Sequence, residues 1–514
     1  MLMAIDSSFA AATYTRIGSS FNQLDGSQWA LIMYSIGLIS SQPLITQLSL
    51  IVGSRAVLLF CYCAFAVGNL WSGLSVNFTC FVIGRAITAV GSAGMNTLVQ
   101  VILKDSVPAR LFTICLGVIE ITDASGMFLG SGLLPLIAKG RYLQYLNLLL
   151  ATLAIVSLIS AYSLRSPAEA VADMGGPHRV QIANGDRISD DQNHASYRSI
   201  AFSIMKQVDS AALFLLPFIS AVFARLSSDA FLTGPHLQIW TAASLLVCLV
   251  AVFCWAEFRV VSFPIVPRYF LTMKLPRIIL ITQGLGMMAI SSVLYIMPFE
   301  AELSPSKSRN SNSGTVLTAS YIGGPIGSLI GGFVIKRSGQ YKLCILCGIF
   351  GCSVMFICHA FTWNAIDSVP SHVAIFIQGA FSDLFCSPLV FALISSMTGK
   401  DRTRIMGVYF LLESLASLFA VSISSAVVIS SVTGCLRKEF GNMSENREIV
   451  QKALENMDFL WTLPQEKRDL VLRCFEHGMK RGYLVSLCLA LGAFCFALQV
   501  KQLPADEEEH QTIT

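Results

Sequence analysis

Six charged side chains interrupt long apolar stretches of this sequence, and their types suit them to chemistry inside a membrane. They are Asp6, Arg85, Glu120, Asp123, Asp383 and Glu413. A charged side chain at the centre of a bilayer costs roughly 2.5–3.5 kcal/mol on insertion scales. A charge retained at that cost indicates either the handling of protons or charged substrates, or a structural ion pair inside a helix bundle.

Glu120 and Asp123 lie three residues apart, so a helix places them on one face. Two carboxylates this close in a low dielectric do not ionise together easily, and one of them is expected to hold a proton near neutral pH. The pair could carry protons or attract a cationic substrate. In the alternative interpretation, one acid reaches the membrane surface or pairs with Arg85.

The elements that position these side chains must be membrane-spanning helices. The chain has 514 residues, of which 54% are hydrophobic and only 13% are charged, whereas soluble domains carry about 25% charged residues. Apolar stretches of roughly 18–25 residues between polar breaks predict about fourteen spans, among them 315–335, 343–362 and 405–431. We therefore expect an all-α polytopic membrane protein. The net charge of +4 is too small to indicate a nucleic-acid partner.

The polar breaks also predict how the chain is divided. The predicted parts are an N-terminal six-helix half (1–164), a central loop (165–207), an inserted helix pair (208–256), a C-terminal six-helix half (277–500) that includes a long loop (433–481), and a tail (501–514). The Lys and Arg residues of the short loops concentrate on the side of the central loop, which predicts that both termini are cytosolic. The long loop then faces the opposite side, the lumen if the membrane is that of an organelle.

Two tight turns indicate that the halves are related. In each, a helix ends at a glycine, Gly53 or Gly339, and a basic residue follows, Arg55 or Lys342. Glycine suits such a turn because it adopts a positive φ without a steric penalty. Two related halves around a central site are typical of secondary transporters.

Glycines also reduce the bulk of two predicted spans. The residues concerned are Gly126, Gly130, Gly323, Gly324, Pro325 and Gly327. Small residues at this spacing let helices approach closely, and glycine with proline permits bending. Packing and a moving hinge are both compatible with the pattern.

Features outside the spans carry further predictions. Cys435 and Cys474 lie in the long loop and could form a disulfide if that loop faces an oxidising lumen. Asn442 begins a glycosylation sequon in the same loop. Glu300 and Glu302 lie near a membrane edge and are expected to face water. The sequence has no Cys/His metal spacing, phosphate-binding glycine loop or nucleophile elbow, so we expect no metal, no cofactor and no enzymatic activity.

Several motifs resemble those of the major facilitator superfamily, in particular its fourteen-span drug:proton antiporter branch. Met3-Ala-Ile-Asp6 is similar to the first-helix signature of the family, and the segment from Gly84 to Gly91 is similar to its fourth-helix arginine motif. Gly126-Met-Phe-Leu-Gly130 stands where the antiporter motif belongs. Within the branch, the segment from Gly327 to Lys342 looks most like the fungal vacuolar basic amino acid transporters.

The resemblance implies a major facilitator fold with two six-helix halves and two inserted helices. It places Asp6 and Arg85 near a central cavity and gives the turns at Gly53 and Gly339 a part in gating. It implies a monomeric, proton-coupled transporter that moves basic amino acids (Lys, Arg, His) from the cytosol into the vacuole. The alternatives are a multidrug or toxic-solute:proton exporter at the plasma membrane and a non-transporting receptor. The receptor is suggested by Leu50, which stands where the family's loop motif has an acid.

Overall fold

A computed structural model shows how the chain folds, and it is almost entirely helical. The residues that it describes are 1–21, 29–106, 109–133, 142–163, 215–223, 245, 248–249, 251–253, 255, 268–303, 314–361, 369–397, 400–440 and 464–502. No β-strand occurs within these ranges. The all-α fold class predicted from composition is confirmed.

The N-terminal half contributes six helices. They are α1 (Leu2–Ser20), α2 (Trp29–Val52), α3 (Ser54–Gly73), α4 (Phe78–Ser106), α5 (Ala109–Phe128) and α6 (Tyr142–Ser163). A π-helical turn, Leu129–Leu133, continues α5. The predicted central loop lies outside the described residues. So does most of the predicted inserted pair, of which the helical stretch 215–223 is the longest described piece.

The C-terminal half contributes six more long helices after a short helix, Arg268–Thr272. They are α7 (Lys274–Leu303), α8 (Gly314–Ser338), α9 (Tyr341–Phe361), α10 (Val369–Ser395), α11 (Lys400–Phe440) and α12 (Gln465–Ala497). Among the described residues, nine helices are long and apolar enough to cross a bilayer. Their backbone groups are bonded within each helix, as a lipid environment requires.

Each half packs mainly within itself, and the halves meet chiefly along two pairs of helices. In the N-terminal half α4 packs against α2 and α3, and in the C-terminal half α10 packs against α8 and α9. The halves contact each other where α2 meets α11 and where α5 meets α8. A functional site between the halves must therefore lie beside these two seams.

The predicted long loop, 433–481, is helical at both ends. Helix α11 continues to Phe440 and α12 begins at Gln465, and the intervening residues, with the sequon at Asn442, lie outside the described ranges. The extensions pair because they bury apolar side chains such as Leu436 and Phe475 in the core cluster of the C-terminal half. Cys435 and Cys474 form a disulfide across the two extensions.

Candidate functional site

Asp6 and Arg85 form a buried ion pair in the N-terminal half. Helices α1 and α4 bring them together, with 2.6 Å between Arg85 Nη1 and Asp6 Oδ1. Both residues are almost completely inaccessible, at 0% and 1% exposure. The Arg85 guanidinium also lies 4.6 Å from the centre of the Tyr34 ring. The pair is neutral as a whole, which reduces the cost of holding two charges away from water.

Two glycines, one on α5 and one in the π-helical turn that continues it, allow α1 to lie this close to the bundle. A Cβ atom added at Gly130 would overlap with the Ile5 carbonyl oxygen and the Ser8 hydroxyl, and one added at Gly126 would come within 2.7 Å of the Met1 carbonyl oxygen. Backbone and side-chain atoms of α1 occupy the space that these side chains would need. The geometry favours close packing as the role of this motif.

The acid pair predicted on α5 is only partly described. Asp123 is partly exposed and forms an ion pair with the amino group of Met1. The side chain of Glu120 lies outside the described residues. A proton shared between Glu120 and Asp123 therefore stays a prediction. Arg85, however, pairs with Asp6 and not with Asp123.

Asp383 and Glu413 are two carboxyl groups of the C-terminal half that lie near enough for their charges to interact. They lie on α10 and α11, both are partly exposed, and the charge of Asp383 acts on Glu413. Neither forms an ion pair with any side chain in the described part of the chain. Two interacting carboxylates without a nearby cation can hold a shared proton or bind a cationic group.

Glycines of α8 create the space for Asp383. A Cβ atom added at Gly324 would overlap with Asp383 Oδ2. Cβ atoms at Gly323 and Gly327 would overlap with backbone carbonyl oxygens of α10, so α8 and α10 pack backbone to backbone. Pro325 lies inside α8 between these contacts. The glycine-rich segment therefore positions the Asp383 carboxylate as well as the helix.

Glu413 lies next to the seam between the halves. The hydroxyl of the following residue, Ser414, donates a hydrogen bond of 3.0 Å to Gln42 Oε1 on α2. At the other seam, Ser131 and Thr318 share a hydrogen bond of 3.1 Å. Glu413 is therefore one residue away from a contact between the halves.

The two turns predicted from the repeat differ in their surroundings. Gly53 and Gly339 both adopt a positive φ, 100° and 67°, as expected for these glycine turns. Lys342 Nζ donates a hydrogen bond of 2.8 Å to the Leu498 carbonyl oxygen, which ties the second turn to the end of α12. Arg55 follows the first turn on α3 and is partly exposed. The gating role of the turns stays a prediction.

Glu300 is the residue that the sequence placed wrongly. It was expected to face water at the membrane edge, but it is only 2% exposed and accepts a hydrogen bond from the Tyr483 hydroxyl. Tyr483 comes from α12, more than 180 residues along the chain. No pattern local to Glu300 could have shown that a helix so distant in sequence would cover it.

The chain has relatives among fungal transporters. It is 22% identical over 510 residues to a multidrug resistance protein, fnx1, of Schizosaccharomyces pombe, covering 98% of this chain and 90% of that protein. It is 24% identical over 515 residues to a vacuolar membrane amino acid uptake transporter, fnx2, of the same yeast, covering 98% and 82%. It is 23% identical over 479 residues to vacuolar basic amino acid transporter 2 of Saccharomyces cerevisiae, covering 90% and 95%.

A solved structure has a similar fold, and a family model matches most of the chain. The structure of a proton:xylose symporter, XylE, superposes with a TM-score of 0.57 at 12% identity, covering 98% of this chain and 93% of that one. The model of the Major Facilitator Superfamily matches residues 1–299 and 278–434. With two helix bundles that meet along two seams and charged residues buried inside them, the chain is a membrane transporter of the Major Facilitator Superfamily and not an enzyme.

Proposed function

We propose that this protein is a proton-coupled secondary transporter that moves basic amino acids from the cytosol into the vacuole by alternating access. The observation that carries the proposal is the pair formed by Asp383 and Glu413, which interact with each other and have no cationic partner in the described residues. Such a pair attracts protons and the cationic side chains of Lys, Arg and His alike. Competition between proton and substrate for the same carboxylates is the simplest basis for antiport.

The position of the pair supports alternating access. Glu413 adjoins the seam where α2 meets α11, and the Ser414–Gln42 hydrogen bond crosses that seam. Binding or release of a cation at Glu413 changes the charge beside a contact that must rearrange when the halves rock. The buried Asp6–Arg85 pair, which is already neutral, serves in this proposal to hold α1 against α4.

The names of the relatives support two substrate classes. Two of them are described as vacuolar transporters of amino acids or basic amino acids, and one as a multidrug resistance protein. Export of lipophilic cationic drugs is therefore the second candidate. The acidic pair favours the first, because a strongly hydrated cation can leave water only where carboxylates compensate for its lost hydration, whereas a lipophilic cation needs less compensation.

Uptake of labelled arginine, lysine and histidine into proteoliposomes containing the purified protein tests the proposal. The expected result is uptake that requires an acidic interior and stops when a protonophore removes the gradient. Protein-free liposomes serve as the control. If a lipophilic cationic dye is taken up and the amino acids are not, the drug-exporter alternative is correct. If no solute is taken up, the protein does not work by proton-coupled transport of these solutes.

A further inference from the structure

One stripe of α12 is exposed along most of the helix. Its members follow one another at spacings of three or four residues, which is the spacing of one face of an α-helix. In chain order they are Arg473, His477, Arg481, Leu484, Cys488, Leu491 and Cys495. Helix α12 packs against α7, α9 and α11, and this stripe is the face that remains exposed.

The chemistry of the stripe changes within one helical turn. From Leu484 towards the end of α12 the stripe is apolar, and Leu484 and Leu491 are 55% and 50% exposed. Large apolar side chains that are exposed on a membrane-spanning helix contact the acyl chains of the lipids. From Arg481 towards the start of α12, the stripe carries two arginines and a histidine. The exposed face of one continuous helix therefore passes from a lipid-facing surface to a cationic one.

This change lies at the edge of the apolar core of the membrane. Tyr483, two residues from Arg481, donates a hydrogen bond to Glu300, which comes just after the apolar span of α7. Arg481 Nη1 donates a hydrogen bond of 3.3 Å to Ser431 Oγ, and the span predicted for α11 ends at Ser431. Two neighbouring helices thus leave the apolar core at the level of Arg481.

Arg481 is a cation without a carboxylate partner in the described part of the chain. Its neighbour Lys480 forms an ion pair of 2.7 Å with Glu476, and that pair is neutral as a whole. The hydrogen bond from Arg481 to Ser431 leaves the charge of the arginine uncompensated. A guanidinium has five N–H donors in a planar fork that fits two oxygens of a phosphate group. Arg481 therefore keeps donors for an anionic ligand.

Arg473 adds a second cation further from the membrane. It is exposed, and among the described residues it forms no ion pair, not even with Asp469 one turn away. At 1.5 Å of rise per residue, His477 lies about 6 Å and Arg473 about 12 Å beyond Arg481 along α12. The headgroup layer of a bilayer is about 5–8 Å thick on each side. Arg481 and His477 therefore lie within this layer, and Arg473 lies at its outer edge.

The α12 extension, residues 465–481, is held in place above the membrane. Its Cys474 forms a disulfide with Cys435 of α11, and Val471 and Phe475 are buried in the core cluster of the C-terminal half. The cations of the stripe thus lie on a fixed scaffold. A surface that is already ordered loses little conformational entropy on binding, which favours a ligand.

We infer that this stripe binds a phospholipid with an anionic headgroup, in the leaflet that the α12 extension faces. An acyl chain lies along Leu484 and Leu491, the phosphate group binds Arg481, and the headgroup extends past His477 towards Arg473. A soluble anion would use the cations alone, whereas the stripe joins them without a break to a lipid-facing surface. The inference concerns lipid binding and does not depend on which solute the protein transports.

Photo-crosslinking tests the inference at the site itself. Two probes carry a diazirine in one acyl chain: phosphatidylglycerol, which is anionic, and phosphatidylcholine, which has no net charge. The full-length protein is reconstituted with equal amounts of both probes, irradiated and digested, and mass spectrometry counts each lipid adduct on the α12 peptide that contains Leu484 and Leu491. We expect phosphatidylglycerol to be the more abundant adduct in the wild type.

Three single substitutions on α12 measure how this preference depends on depth. Arg481→Gln should lower the ratio of phosphatidylglycerol to phosphatidylcholine adducts about fivefold, the usual contribution of one basic residue near a membrane surface. Arg473→Gln should lower the ratio only about twofold, because salt screens the attraction over a distance of about 10 Å. Lys467→Gln is the matched control and should leave the ratio unchanged, since Lys467 is an exposed cation about 21 Å from Arg481 along the helix.

The adduct ratio is internal to each sample, so a lower yield of a variant does not affect it. A loss that decreases from Arg481→Gln to Lys467→Gln supports the inference, as does a preference kept by Arg481→Lys, which retains the charge. Equal adducts of both lipids in the wild type, or equal losses in all three variants, overturn it.

Two further measurements exclude other causes. Soluble glycerol phosphate should not abolish the preference; if it does, the site binds a free anion and the inference is overturned. Ser431→Ala removes the hydrogen bond of Arg481 and keeps its charge, so the preference should remain. A loss as large as that of Arg481→Gln would mean that local structure, and not charge, is responsible, and it would also overturn the inference.

Discussion

The two halves of this transporter bury charge in opposite ways. In the N-terminal half a cation faces an anion, Arg85 against Asp6, and neither is accessible. In the C-terminal half two carboxyl groups, Asp383 and Glu413, interact electrostatically, and both are partly exposed. A neutral pair has no net charge to offer a ligand, whereas two carboxylates bind a cation or retain a proton. In the proposed function, the halves share an architecture but divide structural support and ion binding between them.

The largest expected effect comes from removing one partner of the Asp6–Arg85 ion pair. Arg85→Ala leaves the Asp6 carboxylate buried without its partner, which typically costs about 3–5 kcal/mol. We expect a sharp loss of folded protein, measured by thermal unfolding in detergent. Asp6→Asn combined with Arg85→Gln removes both charges and should recover much of that stability. An Arg85→Ala protein as stable as the wild type would show that the pair does not hold α1 against α4.

The next largest expected effect is a loss of transport when Asp383 or Glu413 is replaced by its amide. Asp383→Asn and Glu413→Gln each remove a proton-binding group while keeping its size, so the protein should remain folded. Driven arginine uptake should fall about 100-fold, as is usual when an essential acid or base is lost. The matched change in the other half is Asp6→Asn. It should reduce the stability of the protein more than it reduces transport per folded molecule. Wild-type uptake in both C-terminal variants would rule out this pair as the binding site.

A smaller effect should follow from moving Asp383 without removing it. Gly324→Ala adds a Cβ atom that overlaps with Asp383 Oδ2, and the carboxylate must rotate away. We expect about a tenfold loss in kcat/KM for arginine, because misplacing a site group by about 1 Å can cost up to 100-fold. Gly331→Ala on the same helix is the control, since its nearest neighbour is Pro388 at 3.3 Å. Equal effects of both changes would mean that general helix packing, and not the position of Asp383, is responsible.

The spans were predictable because membrane insertion depends on local composition. The predicted span 315–335 corresponds to α8, Gly314–Ser338, and 343–362 corresponds to α9, Tyr341–Phe361. Prediction was less accurate where helices continue beyond the bilayer. The span predicted at 405–431 belongs to a helix that runs to Phe440, because contacts with α12, and not hydropathy, stabilise its last turns.

The candidate site was predictable only as a set of separate residues. The cost of burying charge singled out Asp6, Arg85, Asp383 and Glu413 one by one. The sequence left open whether Arg85 pairs with Asp6 or with an acid of α5, and hydropathy cannot decide between partners on different helices. Asp383 and Glu413 could not be paired either, since no spacing along the chain relates a residue of α10 to one of α11.

By itself, the sequence determined that this protein is an all-helical membrane protein with two related halves, because long apolar stretches have no other stable environment and the glycine turns repeat between the halves. Only the tertiary structure decided which charges meet. It paired Asp6 with Arg85, left Asp383 and Glu413 to interact with each other, and covered Glu300 with Tyr483. Electrostatic energy depends on distance and burial in space, and both arise from helix packing between residues far apart in the chain.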